Sequence, residues 1–155
     1  DKNSPQFADK KPKIVIQTAK ELTPLGVDIL KSEFPSDLKF HKDPDELTEW
    51  CKEISNATCV PWVVLSAGVK YEEFRENVIY SSKGGCSGYL AGRAIWQEAV
   101  KMPSREERIK FLKATSVPRL EELQQIVRAN ARPWYDFYGG MDKIKVTTKD
   151  WHEKY

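Results

Sequence analysis

The chain has 155 residues, 40% of them hydrophobic and 31% charged, with a formal net charge of +2; this is the composition of a globular protein with one core and excludes a fibrous, low-complexity or disordered chain. No apolar run reaches the roughly 18 residues of a membrane helix, no basic-then-apolar leader opens the sequence, and the near-balanced charge shows no clustered basic face. Neither a membrane nor a nucleic acid is therefore expected as a partner, and the expected location is cytoplasmic.

Cys51, Cys59 and Cys86 are an odd number without C-x-x-C spacing, so free thiols are expected rather than disulfides or a metal site. The chain starts at Asp1 and its only methionines are Met102 and Met141, which suggests a piece of a longer chain or a processed product.

In "KKPKIVIQTAKEL", Lys10 to Leu22, Pro12 suits a first helical turn, and Val15, Thr18, Ala19 and Leu22 recur at helical spacing, which predicts a helix. A strand follows in "GVDILKSEF", closed by Pro35, which cannot donate to a sheet ladder. Asp43 as cap, Pro44 at the first helical position and Glu46 three residues on open a helix to Ile54, with Leu47, Trp50, Cys51 and Ile54 on one face. "CVPWVVLSAG", Cys59 to Gly68, reads as a strand buried on both faces and ending in small residues.

"YEEFRENVIYSSKGG" is the next helix, stopped by Gly84 and Gly85. "CSGYLAGRAIW", Cys86 to Trp96, is a third strand running into a further helix. Ser104 with Glu107 forms a capping box for "REERIKFLKA", and Leu120, Leu123, Ile126 and Val127 mark one more helix. Clear periodicity ends at Arg132. The chain thus divides into a domain over residues 1–131 and a C-terminal extension over residues 132–155 of unassigned role.

Strands alternating with helices predict βαβ units and a parallel sheet. Three parallel strands leave two open edges and little covered surface, so the missing strands are expected to come from another part of the protein, another chain or a second copy.

The strand "VDILKSEFP" poses a specific question. Ile29, Lys31, Glu33 and Pro35 share one face, so two charges stand together. In a doubly wound sheet that face would lie under apolar helices, where charge is costly. In a (β/α)₈ barrel it looks inward, and inward residues near the C-terminal strand ends line the active site. The barrel accounts better for the charges.

Partial desolvation would favour the neutral amine of Lys31, which could attack a carbonyl and form a Schiff base; Glu33 could balance it, orient it or move a proton. The plainer alternative is a paired or snorkelling lysine. Ser66, Ala67 and Gly68 end the second strand, and Gly92 and Arg93 end the third. Small residues let backbone N–H groups approach an oxyanion, and Arg93 adds a bidentate partner for phosphate. Either turn alone could be an ordinary tight turn. On consecutive βα units they favour an anion site.

Together "DKNSPQFADKKPKIVIQTAKEL", "VDILKSEFP", "VPWVVLSAGV" and "SGYLAGRAIWQEAV" resemble, in order, segments of the class I aldolase family of tagatose-bisphosphate aldolase and sulfofructosephosphate aldolase. The resemblance covers roughly residues 1–127. It implies the C-terminal part of a TIM barrel, about strands six to eight with their helices, with Lys31 as the Schiff-base lysine and Ser66, Ala67, Gly68, Gly92 and Arg93 around the phosphate of a ketose phosphate. The implied reaction is reversible cleavage to dihydroxyacetone phosphate and an aldehyde (glyceraldehyde phosphate or sulfolactaldehyde), with no metal or other cofactor. Acid and base residues on the earlier strands of the family have no counterpart in this chain.

Two alternatives stay open: a non-catalytic phosphate-binding half-barrel that self-associates, and an open α/β sheet of another class. His41 and His152 read as surface histidines, and Trp134, Tyr135, Phe137 and Tyr138 as an anchor of the extension against the barrel wall.

Overall fold

The computed structural model describes residues 4–145, 147 and 150–154. Its elements run α1 (Pro5–Leu22), β1 (Leu30–Ser32), α2 (Pro44–Ala57), β2 (Trp62–Leu65), α3 (Tyr71–Lys83), β3 (Gly88–Leu90), α4 (Arg93–Val100), α5 (Arg105–Phe111) and α6 (Val117–Asn130). The three strands are parallel and lie in sequence order, with Lys31 beside Val63 and Leu65 beside Leu90.

The main buried hydrophobic cluster gathers on one side of this sheet. Trp62 and Val64 of β2 meet Leu47, Cys51 and Ile54 of α2, Phe74 and Val78 of α3, and Leu123 of α6. A doubly wound sheet reverses its strand order and carries helices on both faces. Here the order never reverses and, among the described residues, one face is bare, an arrangement consistent with part of a (β/α)₈ barrel. The bare face also corrects the sequence reading of β2 as buried on both sides: Trp62 and Val64 are buried, whereas Val63 and Leu65 are only half-buried.

Local chemistry moves several boundaries. Ser4 caps α1 by accepting from the Phe7 N–H at 3.3 Å, with Pro5 at the first helical position. The helix therefore starts before Lys10, and Pro12 lies buried inside it. Strand β1 shrinks to three residues because only Leu30, Lys31 and Ser32 find partners on β2. Beyond the Ser104–Glu107 capping box, α5 and α6 join through a π-turn over Leu112–Ser116, just before Pro118, which has no N–H to give to Ala114.

The extension lies against the strand starts rather than the barrel wall. The Arg132 N–H donates to the Cys86 carbonyl at 3.0 Å, ahead of β3. The Tyr138 hydroxyl donates to the Asp28 carbonyl at 2.6 Å, ahead of β1, and the Arg132 guanidinium stacks 3.8 Å from the Phe137 ring. All three cysteines are free, and burial pushes the Cys51 thiol up to about 12 and the Cys86 thiol up to about 11.

Gly84, the C-cap of α3, lies tightly against α2, where an added Cβ would lie 2.2 Å from the Cys51 Cβ. Gly84→Ala is expected to destabilise the chain by about 1–3 kcal/mol, the usual cost of overpacking a core, read as a lower urea midpoint. An unchanged midpoint would show that this crossing yields freely.

Candidate active site

Alternation along the strands places Ile29, Lys31 and Glu33 on the bare face, with Val63, Leu65 and Ala67 from the second strand and Leu90 from the third. Ser32 and Ser66 point the other way and are buried under the helices. Lys31 is exposed, and its side chain has neither a hydrogen bond nor an ion pair among the described residues. The partial desolvation expected of it is therefore absent in this chain, because no described element packs over the bare face.

Lys31 and Glu33 line a cavity of about 740 Å³ that also reaches Ala67 and runs along the free edge of β1. Its far wall is α1, with Lys11, Ile14, Val15 and Leu22. Glu33 finds its cation there: its Oε2 lies 3.9 Å from Lys11 Nζ, and Lys11 also donates to the Ser36 carbonyl at 2.9 Å. Burial lowers the pKa of the Lys11 ammonium, with Glu33, Asp37 and Glu73 opposing that shift. Sequence reading passed over Lys11 because a lysine on an amphipathic helix looks like any solvated residue.

The Ser66–Ala67–Gly68 segment forms a turn closed by the Val69 N–H donating to the Ser66 carbonyl at 3.0 Å. Both central residues have positive φ, 49° at Ala67 and 82° at Gly68, which is the pattern of a type I′ turn. Glycine accepts that region freely; alanine pays roughly 1–2 kcal/mol for it. Strain held at the C-terminal end of a strand is a mark of functional turns.

Gly68 meets the second anion candidate directly. A Cβ placed there would lie 2.8 Å from an Arg93 guanidinium nitrogen, so the arginine lies over the bare glycine backbone. Arg93 opens α4, whose cap is Gly92, and no side-chain cap bond forms there among the described residues. Arg93 has no carboxylate partner among the described residues. The structure therefore brings Gly68, Gly92 and Arg93 together, and Lys31, Glu33 and Ala67 together. Ala67 joins the two groups through its neighbour Gly68.

A polar brace that the sequence did not reveal lies behind α4. Arg119 donates to the carbonyl of Ile95 at 3.2 Å and to Glu98 Oε1 at 2.7 Å, and the Ser116 hydroxyl donates to the Ile95 carbonyl at 2.8 Å. Arg119 also stacks on Tyr71, which with Arg75 donates to Glu122. Its members lie far apart in sequence, so no spacing pattern announces it. His41 is likewise not the surface histidine expected. It is half-buried, bonded to Ser36 Oγ at 3.0 Å and to Asp9 Oδ1 at 3.3 Å, and it packs edge-on against Trp50.

Gly68→Ala is expected to lower stability by about 1–2 kcal/mol through its positive φ and to push the Arg93 guanidinium aside. Urea unfolding reads the first effect, and the change in Arg93 side-chain resonances reads the second. The brace predicts a pH dependence. The bond from Arg119 holds the Glu98 carboxyl below the usual carboxylate range, and those from Tyr71 and Arg75 do the same for Glu122. A carboxylate depressed in the folded state stabilises it above the unfolded value and loses that contribution as pH falls through the folded one. Urea midpoints should thus drop in acid, less steeply for Glu122→Gln.

Comparison with known proteins places the chain in a family. The chain is 33% identical over 146 residues to a tagatose 1,6-diphosphate aldolase 1 of Enterococcus faecalis, covering 84% of this chain and 45% of that protein. It is 30% identical over 150 residues to a tagatose 1,6-diphosphate aldolase 2 of Streptococcus agalactiae, covering 86% and 46%. A Listeria monocytogenes tagatose 1,6-diphosphate aldolase is 27% identical over 165 residues, covering 96% and 49%. The chain spans about half the length of the curated relatives it matches. Residues 2–98 match the DeoC/LacD family aldolase profile across β1, β2, β3 and the start of α4, and the chain belongs to that family.

Proposed function

We propose that this chain supplies the Schiff-base half of an aldolase that cleaves a ketose bisphosphate to dihydroxyacetone phosphate and an aldehyde phosphate, working with the strands that complete the barrel. The observation that carries the reading is Lys31: in a chain of an aldolase family, its amine has no partner among the described residues and stands on the bare sheet face, lining a cavity. The three strands are taken as the sixth to eighth of the barrel.

The chemistry follows from that amine. Lys31 Nζ attacks the substrate ketone, and loss of water from the carbinolamine leaves a protonated imine. A base removes the hydroxyl proton at the carbon beyond the scissile bond. That bond breaks, its electron pair passes into the imine as an enamine, and the aldehyde departs. Protonation of the enamine carbon and hydrolysis of the imine release dihydroxyacetone phosphate and restore the amine. Glu33 moves a proton near the nitrogen in this reading. The α4 N–H groups, Arg93 and the backbone of Ser66, Ala67 and Gly68 hold the phosphate, and the helix N-terminus favours its charge. The names of the relatives favour a tagatose bisphosphate over a sulfonated sugar phosphate.

A second reading, a phosphate-binding half-barrel that self-associates, is favoured by apolar side chains exposed near both sheet edges. Ile14 and Leu22 of α1 are 48% and 44% exposed, and Leu90 and Trp96 are 49% and 42% exposed. Borohydride trapping with dihydroxyacetone phosphate, followed by peptide mapping, separates the two. The aldolase reading expects a covalent adduct on Lys31 in this chain or in a version extended to the relatives' length, and its loss in Lys31→Met. Phosphate binding without any adduct in either form would leave the half-barrel.

A further inference from the structure

Glu33 occupies an awkward position. It lies one residue beyond the end of β1, and its side chain is 54% exposed, so no regular element holds its carboxylate. By strand alternation it shares a face with Lys31, two residues back, and an ion pair between the two would be the simplest outcome. The structure pairs Glu33 with Lys11 instead.

Lys11 is well placed for that task. It comes from α1, its side chain is only 18% exposed, and its ammonium is fixed at a second point by the Ser36 carbonyl. The charged groups around it come from three other parts of the fold: Glu33 after β1, Asp37 in the following loop and Glu73 on α3. One ammonium therefore ties α1 to the end of β1 and to the loop leading into α2, and it does so in the wall of the cavity that holds Lys31.

We propose that Lys11 is a positioning residue: it holds the Glu33 carboxylate at the cavity wall, away from Lys31, and clips the loop that follows β1. The proposal rests on the reading of Lys31 as the Schiff-base lysine. An amine that must attack a carbonyl has to shed its proton, and a carboxylate swinging freely on the same face would keep it as an ammonium. Lys11 takes up that carboxylate. Lys31 is left without a counter-ion among the described residues.

The test is a double-mutant cycle on the rate of borohydride trapping with dihydroxyacetone phosphate, in the form of the protein that gives the Lys31 adduct. Lys11→Met should lower the saturated rate about tenfold with little change in the half-saturating concentration, and Lys11→Arg should restore most of it. In a Glu33→Gln background, Lys11→Met should cost nothing further, because there is no longer a carboxylate to hold. A wild-type rate in Lys11→Met, or full additivity with Glu33→Gln, would overturn the proposal. If the unmodified protein gives no adduct at all, the aldolase reading fails instead. The clip is then judged without catalysis: amide hydrogen exchange at Ser36 and Asp37 should speed up at least tenfold in Lys11→Met and recover in Lys11→Arg, and unchanged exchange would refute it.

Discussion

Trp62 and Val64 fix everything else in this molecule. Both are fully buried under the helices, and a strand that buries alternate residues has no freedom of register: a slip by one residue would expose the tryptophan and drive Val63 and Leu65 into the core. Pairing then carries the constraint outward. Lys31 sits beside Val63 and Leu90 beside Leu65, so the burial of β2 dictates which face the chemistry-bearing residues of the neighbouring strands present. Lys31 is exposed because Trp62 is buried.

The same division runs through the ends of the strands. On the bare side, the chain accepts an alanine at positive φ, a glycine cap without a side chain and an arginine laid on a glycine. None of these stabilises the fold, and the alanine costs it something. On the covered side, Arg119, Glu98, Tyr71, Arg75 and Glu122 lock α4 against α3 and α6 through charged hydrogen bonds. Stability is concentrated behind the candidate site and strain within it.

Local patterns carried much of this into the sequence. The capping box at Ser104 and Pro44 behind Asp43 each arise from contacts a few residues apart, and both appear where expected. The charges of "VDILKSEFP" were legible for the same reason, since alternation alone puts Lys31 and Glu33 together. What escaped was set by tertiary partners. The start of α1 depends on Ser4, and the length of β1 depends on what β2 offers. The links from Lys11 to Glu33 and from His41 to Asp9 join residues more than twenty positions apart. Such side chains look like ordinary surface residues until the fold delivers their partners.

The bare face also couples completion of a barrel to its ligand. Lys31 and Arg93 stand without counter-ions among the described residues, which is inexpensive while water reaches them. Covering that face with further strands would remove the water and leave two cations in a narrow lumen, where an unpaired charge is severely penalised. Under the proposed function, an anionic sugar phosphate relieves that penalty, its phosphate pairing with Arg93 and its negative charge offsetting the cation at Lys31. Under the proposed function, substrate and the remaining strands therefore reinforce each other's binding, since whatever associates only with the closed form stabilises it by mass action. The free edge of β1, the cavity beside it and the two unpaired cations are then parts of one arrangement, in which the site gains its full electrostatic strength only once the sheet has closed around its ligand.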